Sequence, residues 1–118
     1  MKSANFNSKY RVLVVEDEEH LQDAIKLNLD LEGYEVEVVS DGKKALEEVD
    51  KKRFDLVVLD IMLPEINGFQ VCENIRLRGN QVPILILSAK GNVKDKVKGL
   101  KLGADDYVKK SGGFSIKV

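Results

Sequence analysis

Leu56-Val57-Val58-Leu59 is followed at once by Asp60, so four aliphatic residues end abruptly in a carboxylate. Two further runs of the same size behave alike. Val12-Leu13-Val14-Val15 ends in Glu16-Asp17, and Ile84-Leu85-Ile86-Leu87 ends in Ser88. A shorter run, Tyr107-Val108, leads into Lys109-Lys110. Short aliphatic runs without alternation fit strands covered on both faces, as in a parallel sheet. If all four are parallel strands of one sheet, three carboxylates, a hydroxyl and an ammonium gather along its carboxyl edge. That edge is where open α/β sheets bind ligands.

The segments between these runs are helical in pattern. Residues 10–15 are expected to form the first strand, and residues 19–32 a helix with Leu21, Ala24, Ile25 and Leu31 on its inward stripe, ended by Gly33. Residues 34–39 alternate more and fit an edge strand. Asp41 caps a helix running to residue 51, with Leu46 and Val49 inward. Beyond Asp60, Pro64-Glu65-Ile66-Asn67-Gly68 is a turn, and Val71 and Ile75 mark the next helix. Val93, Val97 and Leu100 recur at helical spacing before Gly103, and residues 106–109 make a short fifth strand. Strands alternating with helices through short connections imply right-handed βαβ units. The expected architecture is a doubly wound, flavodoxin-like five-stranded parallel sheet of order 2-1-3-4-5. A fifth helix would be expected after the last strand, and is expected here to be missing or truncated.

Composition narrows the functional classes. The chain has 118 residues, enough for one domain, and its net charge of −1 points to neither nucleic acid nor an anionic membrane. A single cysteine, Cys72, excludes an internal disulfide and fits a reducing compartment. No apolar stretch reaches the roughly 20 residues that span a bilayer, and residues 1–9 lack the apolar segment of a secretory signal. The expected location is cytoplasmic, with residues 1–9 a disordered lead-in.

The candidate site carries hard oxygen donors. Mg²⁺ takes carboxylates, waters and phosphate oxygens, and Glu16, Asp17 and Asp60 supply carboxylates from two strand ends that neighbour one another in this order. Three such groups repel, and a cation and a lysine relieve the repulsion. Asp60, alone at its strand end, is the natural nucleophile, and an acyl phosphate on it would sit between the metal, Lys110 and the Ser88 hydroxyl. His20 reads as an exposed residue at a helix start, Lys109 as a surface charge and Cys72 as a packing residue.

In these motifs the chain resembles the receiver domains of two-component response regulators. The matching stretches are Val14-Val15-Glu16-Asp17-Glu18, Asp60-Ile61-Met62-Leu63-Pro64 with Asn67-Gly68, Leu87-Ser88-Ala89-Lys90, and Gly103-Ala104-Asp105-Asp106-Tyr107 running to Lys110. Together they cover residues 10–110, taken as the receiver domain. The resemblance implies that Asp60 accepts a phosphoryl group from a phosphohistidine on a sensor histidine kinase. It implies that Glu16, Asp17, Asp60 and the backbone carbonyl of Met62 bind Mg²⁺, and that Ser88 and Tyr107 report phosphorylation to the surface. Such a domain is a phosphoacceptor that assists its own phosphorylation and dephosphorylation. The likeness is greatest to receivers of winged-helix DNA-binding regulators, with transcription as the expected output. DNA would be contacted only through an effector domain outside this chain.

One departure from the family pattern lies at the carboxyl end. The lysine is normally followed by a cis proline and an aromatic residue, whereas here Lys110-Ser111-Gly112-Gly113-Phe114 follows. A cis bond before a non-proline costs about 2.5–4 kcal/mol, so a trans bond is expected and residues 111–118 read as an altered tail. A strip of Val12, Val14, Val57 and Leu59, uncovered for want of a fifth helix, would favour self-association, with Phe114 and Ile116 as plugs. An alternative function is a degenerate receiver that acts as an interaction module without phosphorylation. A metal-dependent phosphohydrolase would need a second aspartate two residues after its nucleophile, but Glu19 stands two after Asp17. A mononucleotide binder would need a phosphate loop where four acids stand.

Overall fold

The structure, a computed structural model, describes residues 10–88 and 93–109. Five strands and four helices alternate among them: β1 (Arg11–Val15), α1 (Glu19–Leu31), β2 (Glu35–Val39), α2 (Gly42–Lys51), β3 (Leu56–Leu59), α3 (Gly68–Leu77), β4 (Ile84–Ser88), α4 (Val93–Lys101) and β5 (Asp106–Lys109). All strand pairs are parallel, in the order β2-β1-β3-β4-β5. The doubly wound architecture read from the sequence is therefore present. Lys110 and the 111–118 tail, with its Lys110–Ser111 peptide, Phe114 and Ile116, lie outside the described residues.

The sheet is enclosed on both sides. One face carries Leu13, Val15, Val57, Leu59, Ile84 and Ile86 against Val49, Val71 and Ile75. The other carries Val12, Val14, Leu56, Val58 and Leu87 against Ile25 and Leu29 of α1. Each such side chain contributes about 1.5–3 kcal/mol by leaving water. This corrects the expected bare strip. Val57 and Leu59 point to the face opposite Val12 and Val14, because their register partners are Leu13 and Val15. All four are fully buried, so they give no basis for self-association.

The inward stripe of α1 is also corrected. It runs Leu21, Ile25, Leu29, four residues apart, whereas Ala24 is exposed and Leu31 is 77% exposed. Four-residue steps drift slowly around a helix, so this line stays on the sheet while Leu31 turns past it. Helix ends follow local chemistry. Glu18 caps α1 by accepting from the His20 and Leu21 amides, and Gly33 stops it at φ +90°, where side chains are strained. Asp41 caps α2 through the Lys44 amide. The edge strand β2 is blunted by charge, with Glu37 held at 2.8 Å by Lys52.

Candidate functional site

Parallel register builds the site. Val15 of β1 pairs with Leu59 of β3, so the next residues, Glu16 and Asp60, emerge side by side at the carboxyl edge. The Asp60 amide still donates to the Val15 carbonyl at 3.1 Å, which fixes the step from strand to loop. Carboxylate oxygens of Glu16, Asp17 and Asp60 lie within 4.8 Å of one another. Glu16 and Asp60 are buried and Asp17 is exposed. Glu16 also accepts from the Glu18 amide at 3.0 Å, so part of its carboxylate organises its own loop. An all-oxygen donor set, partly buried and anionic, fits a hard divalent cation.

The loop after Asp60 is held by backbone. The Ile61 carbonyl accepts from both Leu63 and Gly68 amides at 2.9 Å. Glu65 sits at φ +65°, which few side chains other than glycine tolerate. Asn67 and Gln70 then close a capping box that starts α3. Gly68 lies directly on the Asp60–Ile61 backbone: a Cβ there would stand 2.8 Å from the Asp60 carbonyl carbon and from Ile61 Cα. A cavity of about 470 Å³ opens beside this loop, lined by Asp17, Met62, Pro64, Asn67, Phe69, Asp95 and Lys98. Met62 and Asp17 both line this cavity.

Ser88 ends β4 and is fully buried; Tyr107 of β5 is also buried. Ile86 pairs with Tyr107 and Ser88 with Lys109, which places both residues on neighbouring strands near Asp60. Burial pushes the Tyr107 phenol above the usual tyrosine range and Asp95 adds to it, while a hydrogen bond with the Ser88 side chain works the other way. The two residues expected to act together are in contact. Lys110 falls outside the described residues.

Three cavity residues escaped the sequence reading. Phe69 follows a turn glycine and looks like ordinary core, and Asp95 and Lys98 look like the solvated face of a charged helix. Lys98 stands 4.7 Å over the Phe69 ring, a cation–π contact that ties α4 to α3. Spacing along α4 alone gives no sign of it. His20 is exposed and Cys72 buried, as read; burial raises the Cys72 thiol above its usual range.

Residues 12–115 match the family model of the response regulator receiver domain. Among relatives, a probable transcriptional regulatory protein of Picosynechococcus is 46% identical over 97% of this chain and 47% of its own length. The alkaline phosphatase synthesis transcriptional regulatory protein PhoP of Bacillus subtilis is 46% identical over 85% of this chain and 42% of its own. The chain thus spans about half the length of these relatives. Among solved structures, the chemotaxis response regulator CheY4 of Vibrio cholerae superposes with a TM-score of 0.84 at 29% identity, covering 92% of this chain and 90% of that one. The Thermotoga maritima response regulator TrrA, in complex with Mg²⁺ and beryllofluoride, superposes at 0.80 with 36% identity, over 88% and 89%. With the parallel sheet, the acidic edge and the Ser88–Tyr107 contact, these matches agree on one answer: the chain belongs to the response regulator receiver domain family.

Proposed function

We propose that this receiver domain is a phosphorylation-dependent switch, with Asp60 as the phosphoacceptor. The observation that carries this is the buried Asp60 carboxylate at the end of β3, grouped with Glu16 and Asp17. A carboxylate oxygen of Asp60 attacks phosphorus of a phosphohistidine on a sensor histidine kinase. The P–N bond breaks and the imidazole leaves. Glu16, Asp17, Asp60 and the Met62 carbonyl would hold Mg²⁺, which supplies positive charge to the phosphoryl oxygens. Ser88 donates a hydrogen bond to one of those oxygens, and Lys110 pairs with another. When Ser88 turns to the phosphoryl group its hydrogen bond with Tyr107 changes, and Tyr107 carries the event outward. The loaded domain also assists hydrolysis of its own acyl phosphate. It acts in the cytoplasm, as part of a longer regulator whose output is transcription. No described helix is long and apolar enough to cross a membrane.

Mass spectrometry after treatment with Mg²⁺ and acetyl phosphate tests this. The native chain should gain one phosphoryl group and Asp60→Asn none. An adduct on another residue would overturn the assignment of Asp60. No adduct on the native chain would favour the interaction-module reading.

A further inference from the structure

Glu16 and Asp17 share one peptide bond, and that bond is held from outside their own loop. The Glu16 amide donates to the Val39 carbonyl at 3.1 Å, which ties the residue to the end of β2. Its carbonyl accepts from Gln22 Nε2, and the same Nε2 donates to Ser40 Oγ at 3.2 Å. A carbonyl can only accept, so the nitrogen end of the Gln22 amide must face Glu16. Gln22 itself stands on fixed ground. Its backbone amide donates to the Glu18 carbonyl at 3.0 Å in the first turn of α1, and Leu21 and Ile25 of the same helix pack against the sheet.

The two acids differ in how they are held. The buried Glu16 carboxylate accepts from the Glu18 amide. Among the described residues the exposed Asp17 carboxylate accepts no hydrogen bond. Its position is therefore set by the backbone that carries it, and the peptide plane before it is the one that Gln22 holds. A planar peptide turns as a unit. Rotating that plane swings the Glu16 carbonyl and the Asp17 amide together, and so moves the Asp17 carboxylate relative to Asp60.

We propose that Gln22 is a positioning residue of the metal site: by gripping the Glu16–Asp17 peptide it sets the Asp17 carboxylate against those of Glu16 and Asp60. The proposal rests on the reading of these acids as Mg²⁺ ligands. Gln22 touches neither the cation nor the phosphoryl group in this role. It acts as the outer groups of metal centres do, orienting a ligand rather than supplying one. Without the grip, three mutually repelling carboxylates are free to spread, and cation binding must first bring them back together.

Titration of the unphosphorylated chain with Mg²⁺ alone, followed by amide NMR shifts, tests this beside urea unfolding in EDTA. Gln22→Met keeps the length and helix propensity of the side chain and removes its donor. It should weaken Mg²⁺ binding by about tenfold, and a change below about threefold overturns the role. A tie that matters only to the fold would lower the urea midpoint in EDTA and leave Mg²⁺ affinity as it was. Gln22→Glu separates positioning from charge, because the two predict opposite signs. An added carboxylate beside the cluster attracts the cation, so charge alone tightens binding. Loss of the donor should instead loosen it, and binding as tight as in the native chain, or tighter, overturns the role. Should Gln22→Met fail to fold, Gln22→Glu decides alone. If the native chain takes no Mg²⁺, the metal reading falls and this role with it. If the native chain binds Mg²⁺ and both variants bind it as tightly, the role alone falls.

Discussion

Gly68→Ala should slow phosphorylation of Asp60 by about 100-fold while leaving the fold intact. The added methyl would stand 2.8 Å from the Asp60 carbonyl carbon and Ile61 Cα, and closer still to the Asp60 carbonyl oxygen. Real Cβ contacts essentially never fall below 3.0 Å, and these neighbours are backbone, so the loop itself must move. A displacement of about 1 Å in a reacting group costs on the order of 10²-fold in rate. The Asn67–Gln70 capping box resists motion on the α3 side, so the shift falls on Asp60 to Met62. Acetyl phosphate and Mg²⁺, with time points resolved by intact mass, give the rate directly. Circular dichroism and a melt confirm that the variant is folded. A folded Gly68→Ala within about threefold of the native rate would refute the reasoning, because it would mean that the loop absorbs the methyl without moving the carboxylate.

Asp17→Asn should weaken Mg²⁺ binding and phosphorylation together, and it should raise the melting temperature in EDTA at low salt by removing one of three crowded charges. A melt that falls, or Mg²⁺-dependent phosphorylation that persists, counts against the acidic cluster as the metal site. Arg76→Ala should destabilise the domain by about 2–4 kcal/mol, because three buried-side carbonyls lose a charged donor. The Asp105 pair adds little, that carboxylate being 60% exposed. Urea unfolding measures the loss, and Arg76→Lys should recover only part of it. Tyr107 holds its proton more tightly in the folded chain than in the unfolded one. It therefore contributes stability that is complete below pH about 10 and lost as pH rises through the raised folded value. Urea midpoints should fall more steeply above pH 10 in the native chain than in Tyr107→Phe, and equal slopes would contradict the burial of the phenol.

Strand order and the acidic edge were legible in the sequence because both depend on short-range signals. An aliphatic run ending in Asp60 and another ending in Glu16-Asp17 need only parallel register to bring the carboxylates together, and Val15 opposite Leu59 supplies it. Which face each strand residue takes was not legible. In a sheet covered on both sides Val57 and Val58 are equally apolar, so nothing in the pattern shows that one meets α2 and α3 and the other α1. The same ambiguity hid Leu29 behind Leu31. On α4 the pattern misled in a different way. Val93, Val97 and Leu100 have the period of a buried stripe, yet the surface that meets the body is marked by Gly99, a residue with no side chain to read. Contacts made by absence leave no hydropathy signal.

The two edges of the sheet divide the work. At the carboxyl edge three acids are held within 4.8 Å, an arrangement that opposes folding in the absence of a cation. At the amino edge Arg76 joins the end of α3, the carbonyls before β4 and the turn before β5, and Asp105 also accepts from the Ile84 amide at 2.8 Å. That clamp lies where no proposed chemistry occurs, so it can be rigid without hindering the site. A side chain of the same strength near Asp60 would compete for the very oxygens that the phosphoryl group and cation must use. Stability concentrated at one edge therefore lets the other carry unfavourable charge.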